Sequence, residues 1–139
     1  MISLKSKHLA VIVPVVFAAG IGLTIAFNLW KTETTKVPAA YTSGEFAGRA
    51  NPADIRGSYT FADIAAAFPV PVEALASAFG VVENAAAFQV KSLEGAFEDL
   101  PGGVEIGTDS VRLFVARYAG LPFEPEESTA LPAAAVEIL

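Results

Sequence analysis

The longest apolar stretch of the chain covers residues 9–30 (LAVIVPVVFAAGIGLTIAFNLW) and contains no charged side chain. As an α-helix, a stretch of this length would extend about 33 Å, which matches a bilayer core of roughly 30 Å. Pro14 lacks the N–H that a helical hydrogen bond needs, so we expect a kink there. The pattern predicts a transmembrane helix over residues 9–30, preceded by a short cytoplasmic N-terminus, residues 1–8.

Lysines lie on both sides of this stretch, with Lys5 and Lys7 before it and Lys31, Glu33 and Lys36 after it. Because the two flanks have equal numbers of lysines and acids count little in the positive-inside rule, the flanks only weakly favour one membrane orientation over the other. Because the N-terminal tail is short and an acidic body follows the stretch, we expect a single-pass protein of the cytoplasmic membrane, with its C-terminal domain outside (periplasmic). A cleaved signal peptide is the alternative, although its apolar region is usually only about 7–15 residues long.

Small residues recur at every fourth position of the stretch, at Ala18, Gly22 and Ala26. This spacing places them on one helical face, where a second membrane helix can approach closely. Alanine and glycine are also common in membrane helices without such a contact, so the stripe has two interpretations. We predict that these three are helix-packing residues for another subunit of a membrane complex.

Two short amphipathic helices joined by a proline corner are predicted within residues 57–81 (GSYTFADIAAAFPVPVEALASAFGV). Thr60 and Asp63 have the spacing of a capping box, and Pro69 ends the helix that follows. Pro71 suits the first turn of the second helix, and Gly80 suits the position just after its end.

A further helix is predicted within residues 107–120 (GTDSVRLFVARYAG). Thr108 is expected to cap it, Asp109 to favour the positive end of its dipole, and Gly120 to end it. Arg112 and Arg117 lie off the centre of the apolar face, and we expect them to pair with surplus acids. The apolar stripe of this helix consists of Val111, Phe114, Val115 and Tyr118.

Residues 31–57 show no sustained period and are predicted to be a linker, in which Tyr41 and Phe46 favour docking on a partner. The small helical domain then occupies residues 58–139, with a phenylalanine core. The expected fold class is mainly α, with one N-terminal transmembrane helix and a small helical extracytoplasmic domain. The core phenylalanines are expected from four Ala-Phe pairs, at residues 67–68, 78–79, 87–88 and 96–97.

The composition of the chain excludes several kinds of metal site and catalytic site. The chain has no cysteine, and its one histidine is His8, beside the apolar stretch, so a cysteine-ligated metal, a multi-histidine metal site and a Ser–His triad in the body are excluded. Residues 37–139 hold fourteen acids against five cations, a net charge of −9. Such a body repels phosphate backbones, so we expect no nucleic-acid partner. We also expect no metal, no cofactor and no enzymatic activity.

The segment DIAAAFPVPVEAL, within residues 57–81, resembles the helix pair of a LysM module. That resemblance implies binding of cell-wall glycans. The Gly-Asp-Thr that usually precedes the first LysM helix is replaced here by GSYTFAD, and no closing strand is predicted.

A broader resemblance covers most of residues 54–139. The segments DIRGSYTFADIAAAFPVPVEALASAFGV, VKSLEGAF and GTDSVRLFVARYAGLPFEPEE resemble soluble domains of bacterial membrane-bound iron–sulfur proteins of the polyferredoxin type. This resemblance implies a redox complex as the context, although the cluster itself would lie elsewhere because the chain has no cysteine. The sequence therefore predicts a non-catalytic accessory or structural subunit of a membrane complex, which interacts with other protein subunits and with the lipid bilayer. The resemblance implies that this complex is an electron transport complex. The alternative is a wall-binding module of the LysM kind.

Overall fold

The computed structural model describes residues 6–26, 36–98 and 100–139. It divides into two compact units, Met1–Thr35 and Lys36–Leu139, each of which is considered by itself.

The described part of the first unit is one helix, α1 (Ser6–Ala26), with Pro14 inside it. Its apolar side chains are largely exposed, with Phe17 at 68% and Ile25 at 65%. Among the helices of the described residues, none is long and apolar enough to cross a membrane. The predicted membrane segment continues beyond Ala26, and its residues 27–30 lie outside the described part of the chain.

The second unit is built from short helices, as the sequence predicts. The described residues contain no strand, only isolated bridges, so the expectation of a mainly α fold is confirmed. The α-helices are α2 (Phe61–Ala67), α3 (Val72–Phe79), α4 (Leu93–Ala96), α5 (Thr108–Ala119) and α6 (Ala133–Ile138). Short 3₁₀ turns cover Pro52–Asp54, Ala85–Ala87, Val90–Ser92 and Pro101–Gly103.

Local signals define the α2–α3 pair. The Asp63 N–H donates to Thr60 Oγ1 at 3.2 Å, and the Thr60 N–H donates to Asp63 Oδ2 at 2.8 Å, which confirms the capping box. Phe68 ends α2 in an extended conformation, as a residue before proline prefers. Pro71 is the N-cap of α3, and Gly80 follows its end with a φ of 69°. Both predicted helices are therefore present.

A row of aromatic rings forms the centre of this unit. The ring centroid of Phe61 lies 5.2 Å from that of Phe88 and 6.3 Å from that of Phe79, and Phe79 lies 5.7 Å from Phe114. Each pair is tilted or edge-on, the geometry that aromatic side chains favour. The row joins α2, α3 and α5, and α6 packs on α3 with Ala135 fully buried.

Helix α5 differs from its prediction in two ways. Its N-cap is Gly107 rather than Thr108, because the buried Ser110 hydroxyl accepts the Gly107 N–H at 3.1 Å while Thr108 is already helical. Tyr118, expected in the apolar stripe, is 39% exposed, although its ring centroid lies 5.8 Å from that of Phe114. The other three stripe residues are buried, and Gly120 ends the helix as predicted.

The chain before α2 corrects the predicted domain boundary. Residues 36–57, which were expected to be a linker, fold with the second unit. Tyr41 and Phe46, expected to dock on a partner, are half-buried against the unit's own core. Pro52 and Ile55 are buried as well. A periodic pattern could not show this, because the segment packs through scattered apolar side chains rather than through a regular helix or strand.

We expect a fragment of residues 58–139, the domain as the sequence bounds it, to be less stable than a fragment of residues 36–139. Loss of the fully buried Ile55 side chain alone removes about 1.5–3 kcal/mol of burial free energy. Urea unfolding followed by circular dichroism measures the difference. Thr42→Ala, at an exposed position of the added segment, serves as a control that should leave stability unchanged. Equal midpoints for the two fragments would contradict the boundary at Lys36.

We expect Asp63 to make the stability of the Lys36–Leu139 unit depend on pH in the acid range. Burial raises the pKa of Asp63. Hydrogen bonds with Thr60 and the Lys36 ammonium, 3.4 Å away, lower it by a larger amount, so the pKa of Asp63 in the folded protein lies below the ordinary 3.8. Its contribution is therefore present above about pH 3.8 and is lost as pH falls through the lowered folded pKa. Asp63→Asn should flatten the fall of stability below pH 4, measured by urea unfolding, whereas Glu45→Gln at an exposed position should not. An unchanged slope in Asp63→Asn would refute this role.

Candidate functional site

A cleft of about 880 Å³ lies beside the start of α5. Its lining residues belong to the stretches 91–98 and 100–107, to the first turn of α5, and to the segments around Arg56 and Ser128. Main-chain hydrogen bonds join two of these segments. The Glu105 N–H donates to the Ser128 carbonyl at 2.8 Å, and the Ala130 N–H donates to the Glu105 carbonyl at 2.9 Å.

Asp109 connects α5 to the segment after it. Its Oδ2 accepts hydrogen bonds from the Thr129 hydroxyl at 2.7 Å and from the Glu126 N–H at 3.0 Å. Its Oδ1 lies 3.4 Å from Nη1 of Arg112. Hydrogen bonds to a charged acceptor are stronger than neutral ones, so this carboxylate is a structural junction as well as a first-turn acid.

Arg112 extends the junction to the chain before α2. Its Nε donates to the Ile55 carbonyl at 2.8 Å, 57 positions away in sequence. The expectation that Arg112 pairs with an acid is confirmed by Asp109. No ion pair of Arg117 is found within the described residues.

Two glycines allow the walls of the cleft to approach closely. A Cβ on Gly57 would lie 3.0 Å from Lys91 Cβ, and one on Gly107 would lie 3.2 Å from Glu94 Cγ. The Glu94 side chain therefore packs against Gly107, the N-cap residue of α5. A carboxylate near a helix N-terminus is favoured by the helix dipole. Two acidic side chains, Glu94 and Asp109, therefore lie at the N-terminal end of α5.

The cleft carries an excess of negative charge. The ion pairs found among the described residues engage Asp54, Asp63 and Asp109, and no glutamate takes part in them. The described lining includes the cations Arg56, Lys91 and Arg112 and the acids Glu94, Glu98, Glu105, Asp109 and Glu126. The glutamates therefore give this face a net negative surface.

The polar side chains of the cleft hold the fold together. The Ser110 hydroxyl is fully buried and bonded to Gly107, and the Thr129 hydroxyl donates to Asp109. No group of three His, Cys, Asp or Glu side chains suited to a metal ion occurs in the part of the chain that the structure describes.

The predicted helix-packing residues lie on α1, outside this cleft. Ala18, Gly22 and Ala26 are exposed and share one face of the helix, and no atom lies within 4 Å of the position that a Cβ on Gly22 would take. There is room on this face for a neighbouring helix, and the packing role stays a prediction.

Comparisons of the chain with protein-family models, with curated protein sequences and with solved structures found no match. The resemblances to polyferredoxin-type proteins and to LysM modules therefore stay predictions from the quoted segments. Of the LysM pattern, residues 57–81 show the helix pair, and no strand borders it in the described residues.

Asp109→Ala should lower the free energy of unfolding of residues 36–139 by about 1–3 kcal/mol, because its loss leaves the Thr129 hydroxyl and the Glu126 N–H without their acceptor. Urea unfolding measures this change. Glu127→Ala removes a nearby exposed carboxylate and should change stability by less than about 0.5 kcal/mol. Similar effects of the two variants would show that Asp109 is not a junction.

Proposed function

We propose that this chain is a single-pass, membrane-anchored accessory subunit of a membrane protein complex. In this proposal residues 9–30 are the anchor, and the Lys36–Leu139 unit lies outside the cytoplasm, where it docks on other subunits. It is non-catalytic and needs no cofactor. The observation that carries the proposal is the uncharged stretch of residues 9–30, which is too apolar to be stable in water without a covering surface.

The side chains of α1 support this assignment. Bulky apolar residues on several faces of the helix are more than half exposed, including Val15, Phe17 and Leu23. Exposed apolar surface of this extent is favoured only against lipid or against other apolar helices. The face with Ala18, Gly22 and Ala26 is the one on which a partner helix can come closest, because its side chains are the smallest.

The second unit supports a docking role through its surface charge. Residues 37–139 carry a net charge of −9, and four of the glutamates that contribute to this charge line the cleft. Such a surface is unfavourable for nucleic acid and favours a partner with basic groups. A redox complex as the partner rests on the polyferredoxin-type resemblance alone.

The test compares Gly22→Leu with Gly20→Leu in the full chain, purified in mild detergent with the proteins that accompany it. Gly20 and Gly22 both have open space around them, but two residues turn an α-helix by about 200°, so they lie on opposite faces. Gly22→Leu should reduce recovery of the partner subunits roughly fivefold or more, because it blocks close helix approach. Gly20→Leu adds the same side chain to the other face and should leave recovery unchanged.

Equal recovery with both variants would remove the stripe from the proposal. Recovery of no stable partner with the unaltered chain would contradict the subunit role itself. In that case, saturable binding of residues 36–139 to peptidoglycan fragments would favour the LysM-like alternative.

A further inference from the structure

Residues 39–51 form a small hairpin-like loop, here named the arm hairpin. An isolated antiparallel bridge joins Ala40 and Ala50, and the Asn51 N–H donates to the Ala39 carbonyl at 2.8 Å. Next to this bridge, the Tyr41 N–H donates to the Arg49 carbonyl and the Tyr41 carbonyl accepts from the Gly48 N–H, each at 2.9 Å. The arm hairpin thus closes on itself.

Two side chains of the arm hairpin reach the end of α5. The Tyr41 hydroxyl donates to the Pro122 carbonyl at 2.9 Å, and Nη2 of Arg49 donates to the Ala119 carbonyl at 3.1 Å. Burial raises the pKa of Tyr41, which keeps its hydroxyl protonated as a donor. Arg49 also lies over the Phe46 ring, 5.8 Å from its centroid, so its guanidinium is held on the hairpin.

Both acceptor carbonyls flank Gly120, where the chain leaves α5. Gly120 has a φ of 67°, and the Leu121 N–H donates to the Ala116 carbonyl at 2.8 Å. The acidic segment with Glu124, Glu126 and Glu127 follows directly. The last carbonyls of a helix find no hydrogen-bond donor within the helix. For the Ala119 carbonyl, the donor is Arg49, which lies 70 positions earlier in the sequence.

We propose that the arm hairpin and residues 119–122 form one latch, which opens as a unit while α2 and α3 stay closed. Seven of the eight residues 42–49 are exposed, and the apolar residues of the hairpin that pack on the core are only partly buried: Tyr41, Phe46 and Ala50. Such limited burial is typical of segments that open locally. Its two hydrogen bonds end on the same turn, so separation of the hairpin removes both donors from that turn. Movement of the arm is thereby coupled to the start of the acidic segment.

The test is amide hydrogen exchange on the full chain in detergent, with Tyr41→Phe and Arg49→Met as variants. Each variant removes one side-chain donor and keeps most of the side chain that packs. Loss of one hydrogen bond should accelerate exchange about two- to tenfold, equally at the hairpin amides of Gly48 and Asn51 and at the turn amides of Gly120 and Leu121. The amide of Phe68 in the α2–α3 pair should be unchanged.

Tyr118→Phe is the matched control, because it removes the same hydroxyl from a ring at the same end of α5 that packs against Phe114. Exchange in both parts of the latch should then stay as in the unaltered chain. Acceleration at the hairpin amides alone would overturn the proposal, as would an equal acceleration at Phe68, which would indicate global unfolding. Unchanged exchange in both variants would also overturn it.

Discussion

Burial of the aromatic row through Phe88, Phe61, Phe79 and Phe114 is the interaction on which the Lys36–Leu139 unit depends. A unit of this size has little interior, so a few large side chains must supply most of its apolar burial. Helices of seven, eight and twelve residues are too short to be stable alone in water. They persist because each contributes a ring to the same row.

The rest of the unit is held by polar side chains that end on main-chain groups. Tyr41 and Arg49 donate to carbonyls near the end of α5, Arg112 donates to the Ile55 carbonyl, and Asp109 accepts the Glu126 N–H. Irregular segments pair fewer of their main-chain groups among themselves than a helix does, so side chains from distant positions bind some of the remaining groups. Helix α5 is consequently tied at both ends, by Asp109 at its start and by the arm hairpin at its end.

What the sequence predicted well was local. The capping box of Thr60 and Asp63, the proline corner and Gly80 depend on neighbours within a few positions, and all three are present. What it missed was distant in sequence. The spacing of Asp109 and Arg112 indicates one turn of helix and carries no information about Thr129 or Ile55, 20 and 57 positions away. Tyr41 and Phe46 correctly indicated an apolar contact, but only the folded chain shows that its own core is the surface they meet.

The outward tip of the arm hairpin has a practical consequence. Residues 42–45 are exposed, and Gly44 has a φ of 82°, a conformation that suits a surface turn rather than a packed element. Because the chain contains no cysteine, one cysteine introduced at Ser43 would be its only thiol. A maleimide that cannot cross membranes would then label intact cells only if this tip is outside. A single surface turn thus makes the proposed sidedness of the protein open to direct chemical measurement in intact cells.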